Sequence, residues 1–224
     1  MDGRREQALL LVATSCKNQD AIDEVADWYD KVHLADVLSS GLFTKAIRFD
    51  AAPFDSRREQ PDFVVLYSIK PGIENLFEKL QESATNWTNG GKPHPALEID
   101  TLAHYQLRNS LPSSTTGTAT NGLLLGFADP KSEDRIDEFH DWYDTCHALA
   151  VANSPIYFAA TRYQIADGGS GPADYLALYE SGQPEPDAFK AYMKWPEADL
   201  DLADVAVVQA VWTFKRAFAL AEKS

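Results

Sequence analysis

Short apolar runs alternate with amphipathic stretches along the whole chain, and they come twice in the same order. In the first half Ala8–Ala13 is an apolar run of strand length, and Asp20–Leu38 carries helical periodicity. Phe43–Phe49 and Phe63–Ile69 are β-branched and aromatic strands, Ile73–Trp87 is helical, and Ile99–Leu107 is a last strand. The second half repeats this β-α-β-β-α-β order as Gly122–Phe127, Glu133–Ala152, Ile156–Ile165, Tyr175–Tyr179, Pro186–Trp195 and Val205–Phe214. Between the halves Asn109–Asn121, rich in Ser and Thr, reads as a flexible linker. The predicted organisation is therefore a first repeat over 1–108, a linker over 109–121 and a second repeat over 122–224.

The repetition extends to individual residues. Trp28-Tyr29-Asp30, His33 and Arg48 recur as Trp142-Tyr143-Asp144, His147 and Arg162, each displaced by 142 − 28 = 147 − 33 = 162 − 48 = 114. From Leu9/Leu123 to Phe49/Tyr163 the alignment needs no gap, and 17 of its 41 positions are identical. A period this long marks a duplicated domain, since solenoid repeats run to about 20–50 residues. A β-α-β-β-α-β unit predicts an antiparallel four-stranded sheet with both helices on one face, the ferredoxin-like arrangement. Two such sheets packed face to face within one chain predict an α+β fold of tandem ferredoxin-like repeats, a pseudo-dimeric barrel with its helices outside.

Charge narrows the partners. With 34 Asp and Glu against 20 Lys and Arg, a net charge of −14, the chain lacks the cationic surface that nucleic acid or an anionic membrane requires. A small-molecule partner is expected, with further homo-oligomerisation open. Two cysteines, Cys16 and Cys146, make no disulfide framework, and no apolar stretch has signal-peptide or membrane-spanning length. A soluble, cytoplasmic protein is predicted.

On a helical wheel Ile22, Val25, Tyr29, Val32, His33 and Asp36 fall on one arc, facing the sheet. The equivalent strip in the second half is Ile136, Phe139, Tyr143, Cys146, His147 and Ala150, which keeps Tyr and His and lacks the carboxylate. An inward imidazole beside a phenol has the components of general acid–base chemistry, with a carboxylate to orient the ring and the phenol to stabilise an enolate. His33, Tyr29 and Asp36 are thus the catalytic candidates of the first half, and His147 and Tyr143 those of the second. Because Asp36 is present only in the first half, that half is expected to carry the activity. Arg48 and Arg162 are placed to grip a substrate carboxylate; the structural alternative pairs Arg48 with a helix carboxylate such as Asp36. Trp28 and Trp87 are candidate aromatic walls, with Trp195 equivalent to Trp87. His104 and Tyr105 lie on opposite faces of one strand, so one of them reaches the helix side. His94 reads as an exposed loop residue. Metal-ligand spacings, a phosphate loop and a nucleophile elbow are all lacking, so no cofactor and no metal are expected.

The string Trp28-Tyr29, three residues, His33, then Gly41-Leu42-Phe43 and Ala46-Ile47-Arg48-Phe49 resembles the EthD-like family of dimeric α+β barrel proteins. The second copy matches through Trp142-Tyr143, His147, Ile156-Tyr157 and Ala160-Thr161-Arg162-Tyr163; Ser40 and Ser154-Pro155 depart from the family's Pro-Gly turn. The resemblance implies cofactor-free decarboxylation, dehydration or cyclisation of small polyketide-like or aromatic acids in biosynthesis, in a superfamily whose related barrels include oxygenases and haem proteins. The expected function is a cofactor-independent lyase or cyclase, and the competing reading is a non-catalytic binding protein with an aromatic pocket.

Overall fold

Each predicted apolar run forms a strand, and most of the strands are longer than the run that announces them. The computed structural model describes residue 2 and residues 6–56, 59–111, 117–166, 170–198 and 204–222. Its strands are β1 (Ala8–Cys16), β2 (Phe43–Ala51), β3 (Phe63–Ile69), β4 (Leu97–Leu111), β5 (Gly122–Pro130), β6 (Tyr157–Ile165), β7 (Tyr175–Ser181) and β8 (Ala206–Ala221). The helices are α1 (Ile22–Trp28) and α2 (Leu34–Ser39), joined by a π-helical turn Tyr29–His33, then α3 (Leu76–Ala84), α4 (Ile136–Trp142) and α5 (Ala148–Ala152), joined by a second π turn Tyr143–His147, and α6 (Asp187–Tyr192). The two long helices expected over Asp20–Leu38 and Glu133–Ala152 are thus interrupted at the same place. The later helices are shorter than Ile73–Trp87 and Pro186–Trp195; Asn75, at φ 53°, is left-handed and delays the start of α3.

All strand pairs are antiparallel, and the sheet closes in the order β1-β3-β2-β8-β5-β7-β6-β4. The largest departures from the expected boundaries are β4 and β8, and closure explains both. Leu97–Gln106 of β4 pairs with β1, while Tyr105–Leu111 pairs with β6. Ala206–Lys215 of β8 pairs with β5, while Phe214–Ala221 pairs with β2. The extra residues form the two seams of the barrel, so the tract read as linker begins as strand at Asn109–Leu111; residues 112–116 of it lie outside the described residues.

Alternation along each strand sorts side chains into two environments. Leu9, Leu11, Phe49, Leu66, Tyr105, Leu123, Phe127, Tyr163, Trp212 and Phe214 fill the barrel interior. On the outer face, Val25, Tyr29, Leu34 and Val37 pack on Leu10, Val65 and Tyr67, and Phe139, Tyr143 and Val151 pack on Leu124, Ala177 and Tyr179. No helix among the described residues is long and apolar enough to cross a membrane.

One shared interior implies one folding unit. Phe214 is fully buried there, and truncating such an aromatic costs about 3–5 kcal/mol. Phe214→Ala should lower stability by that amount in urea, with tryptophan fluorescence and far-ultraviolet circular dichroism following one coincident transition. Two separated transitions would show that the halves unfold independently.

Candidate active site

The repeated residues divide into a clamp and a cavity wall. In both π turns the closing backbone bond runs five residues back, from Leu34 N–H to the Tyr29 carbonyl and from Ala148 N–H to the Tyr143 carbonyl. Such single wide turns recur at functional sites. Asp30, within the first turn, receives two parallel bonds from buried Arg48 of β2, Nε to Oδ1 at 2.8 Å and Nη2 to Oδ2 at 2.9 Å. Arg48 Nη1 donates to Asp50, and the guanidinium lies 5.3 Å from the centre of the Phe63 ring. In the second half Arg162 Nη1 donates to Asp144 Oδ1 at 2.5 Å and Nη2 to His140 Nδ1 at 3.1 Å, with Tyr143 4.3 Å beneath its plane. Both arginines are therefore engaged by protein groups, and neither is among the residues lining the two cavities described below. Their pairing is the geometry of the structural alternative, a clamp to a helix carboxylate. The partner of Arg48 is Asp30 and not Asp36, because Asp30 sits where the π turn approaches β2.

Of the remaining repeated residues, Trp28, Tyr29 and His33 line one cavity between the outer sheet face and the helices, and Tyr143 and His147 line a second. In the first, His33 stacks on Trp28 with ring centres 4.5 Å apart, and meets Tyr29 edge-on at 5.5 Å and Trp87 at 6.0 Å. This cavity holds about 190 Å³ and is also lined by Leu10, Val12, Thr14, Tyr67 and Leu102. In the second, His147 stacks on Trp142 at 4.9 Å and meets Tyr143 edge-on at 5.3 Å and Tyr179 at 6.2 Å. Its volume is about 440 Å³, and Phe189 and Tyr192 of α6 with Val208–Val211 of β8 complete it. Neither lining contains an Asp, Glu, Lys or Arg.

Burial tunes the groups on these walls. It holds the half-buried His33 imidazole down at about 4, against the opposing charge of Asp36, so the ring is neutral near pH 7. Tyr29 is raised by burial, and its hydroxyl lies 3.0 Å from Thr14 Oγ1. Ala128 stands at the position equivalent to Thr14, so Tyr143 lacks this hydroxyl partner. Burial pushes Tyr143 up to about 12, with Arg162 drawing it back, and the phenol remains a donor at neutral pH.

Other expectations fare unevenly. Asp36 does not orient His33: its two oxygens accept from Thr88 N–H at 3.0 Å and Thr88 Oγ1 at 3.1 Å, tying α2 to the turn beyond Trp87. His104 faces outward into a separate groove under α3, away from His33, and burial lowers its pKa. Tyr105 points into the barrel and donates to the Ala173 carbonyl at 3.2 Å. His94 is half-buried instead of exposed, 3.3 Å from Glu24 and 5.9 Å from the Trp28 ring. Cys146, expected on the inward strip, is exposed, and Ile136 is 37% exposed. Five residues escaped sequence reasoning: Asp30 and Asp144, whose signal was their recurrence at the same register; Tyr67 and Tyr179 on the sheet floor; and buried Glu185. Glu185 accepts from Tyr157 Oη at 2.8 Å and Phe189 N–H at 3.0 Å, and burial pushes its carboxyl up to about 7 beside the helix that walls the second cavity.

Among solved structures, an anthrone oxidase-like protein superposes with a TM-score of 0.65 at 11% identity, over 99% of this chain and 95% of that one. A dye-decolorizing peroxidase from Bacteroides thetaiotaomicron superposes with a TM-score of 0.56 at 9% identity, covering 96% and 94% of the two chains. This likeness shows the fold, the dimeric α+β barrel. No family model and no curated protein matches the chain. Neither lining holds a Lys or Arg that would meet the propionates of a haem. Among the described residues no cluster of His, Cys, Asp and Glu suits a metal ion.

Replacing Arg48 by Met should destabilise the fold by about 3 kcal/mol, since Asp30 and Asp50 lose their counter-charge; urea denaturation measures it, and an unchanged midpoint would contradict the clamp. A second expectation concerns pH. The folded His33 titrates at about 4 against 6.5 ordinarily, so the unfolded chain binds the extra proton and stability falls as pH drops from about 6.5 to about 4. Glu185 has the opposite sign, losing stability as pH rises from about 4.5 to about 7. The stability of His33→Phe minus that of wild type should therefore increase as pH falls through the first window, and a flat difference would contradict burial of a neutral imidazole.

Proposed function

We propose that the protein is a cofactor-independent lyase or cyclase whose second-half cavity binds a small, uncharged aromatic or polyketide-like molecule and moves a proton on it. The observation that carries this reading is the joint placement of Tyr143 and His147 on one wall of a cavity of about 440 Å³. That volume lies within the range of about 300–1,000 Å³ usual for ligand sites, whereas the first cavity, at about 190 Å³, lies below it. Magnitude thus reverses the expected asymmetry: Asp36 is held by Thr88, and the half that lacks it has the room. The engaged arginines and the uncharged lining also argue against a carboxylate ligand, so the acid substrate is replaced by a neutral one.

In this reading His147 accepts a proton from an activated C–H or O–H of the ligand, and Tyr143 donates a hydrogen bond to the adjoining oxygen as negative charge develops there. Collapse of that enolate by loss of a β-substituent, or its attack on a carbonyl of the same molecule, gives the lyase or cyclase outcome. The molecular history we propose is a tandem EthD-like duplication, 1–108 and 122–224 about the segment 109–121. It is supported by the recurrence of strand order β4-β1-β3-β2 as β8-β5-β7-β6 and of the clamp and π turn.

His147→Ala should reduce turnover of a neutral aromatic ketone substrate by about 10²–10⁴-fold while His33→Ala changes it little. Equal losses would return activity to both halves. Ligand binding with no turnover in the wild type across such ketones would favour the non-catalytic binding protein.

A further inference from the structure

Gly126 is a glycine that the fold does not require. It lies in the interior of β5, paired with Ala177 of β7 on one side and Val211 of β8 on the other. Its φ is not in the left-handed region, where glycine is favoured. A Cβ built on it would meet nothing closer than 3.9 Å, from the Ala177 carbonyl oxygen, with the Ala177 Cβ and Tyr179 ring at 4.0 Å. Gly122 on the same strand is the contrast, since a Cβ there would run into the Gln183 carbonyl at 2.2 Å. Glycine weakens a strand interior and often marks a bulge or a place where something else approaches closely; the irregularity in the β5–β8 pairing falls after Gly126, between Phe127 and Ala128, where no glycine stands.

What approaches is indicated by the face on which Gly126 sits. Leu124 and Ala128, two residues to either side, belong to the outer layer under the helices, and Gly126 lines the cavity that holds His147. The equivalent position in the first half is Val12, which lines the smaller cavity. Two neighbouring positions of the same sheet face shrink in the same direction, although neither alanine lines the cavity itself: Val65, the cross-strand partner of Val12, corresponds to Ala177, and Thr14 corresponds to Ala128. Of these three positions Gly126 is the one that lines the second cavity, with Tyr192 of α6 on the opposite wall.

Resting on the reading of this cavity as the ligand site, we infer that Gly126 is its specificity-determining residue, admitting flat uncharged ligands of two to three fused rings that Val12 excludes from the first half. The bare backbone lets a ring lie on the sheet, facing Tyr143 and His147, with Phe189 and Tyr192 across the cavity.

The test uses the full chain and two uncharged probes, 9-anthracenemethanol and benzyl alcohol, titrated by fluorescence and calorimetry. Wild type should bind the anthracene. Gly126→Val should weaken that binding at least about tenfold, with Gly126→Ala intermediate, benzyl alcohol changed less than about twofold, and melting temperature unchanged or raised. Unchanged anthracene affinity in folded Gly126→Val, no anthracene binding by wild type, or a lowered melting temperature in Gly126→Ala would each overturn the inference; the last would show that the backbone needs glycine after all. Wild type that binds the anthracene and loses it in Gly126→Val, yet turns over no neutral ketone, would remove the proton-transfer reading and leave the size determinant standing.

Discussion

Closure of the barrel is the constraint on which the other features depend. Four strands in the order β4-β1-β3-β2 leave two open edges with unpaired amides and carbonyls, and β4 and β8 run on past their own neighbours to cover them. An eight-stranded barrel closed in this way is only wide enough for its own side chains, and here tyrosines, phenylalanines and a tryptophan fill it. With the interior occupied, a ligand has to lie outside, between the sheet and its helices. The chain offers that space twice, at equivalent positions.

What holds the helices over that space is electrostatic as well as apolar. Asp30 and Asp144 reach from the π turns to buried arginines on β2 and β6, and the carboxylate–guanidinium geometry fixes the turn against the strand. Each clamp also has a private partner: Asp50 serves Arg48, and the second half, with Gln164 there, uses His140 against Arg162. Fixing the turn sets the neighbouring Trp–His stack and the edge-on Tyr at nearly the same spacing in both halves. The charged pair thus positions aromatic groups that it does not touch chemically.

The fold was legible because it rests on periodicity and repetition, which a sequence carries openly. The element order, the antiparallel sheet and the inward face of Tyr29 and His33 all follow from apolar spacing. The ends of β4 and β8 did not, because their last residues pair with the other half and show no local pattern; Asn109 and Ser110 read as linker for that reason. The clustering of Trp, Tyr and His was legible, and the pairing of the charged residues was not. Arg48 and Arg162 recur because a buried clamp recurs, and recurrence alone cannot separate a clamp from a ligand grip. Asp36 falls on the inward arc of an ideal wheel, yet the π turn before α2 and the hydroxyl of Thr88 divert it. Glu185 gave no signal at all, since its burial depends on Tyr157 from a distant strand.

The differences between the halves follow the same division. The clamp and the stack are constrained by both sheet and helix, so a change in either costs stability at once, and both copies keep them. Other positions of the outer sheet face differ between the halves, Val12, Thr14 and Val65 standing against Gly126, Ala128 and Ala177, although Thr14 bonds Tyr29 and Val65 packs under the first helices. The barrel in this way has one half with a small cavity lined by Trp87 and Leu102 and another with a larger one. The closed half still matters to the open one, because β4 and β8 carry the seams: an unstable first half would leave β6 unpaired on its β4 side and β8, which lines the second cavity, unpaired on its β2 side.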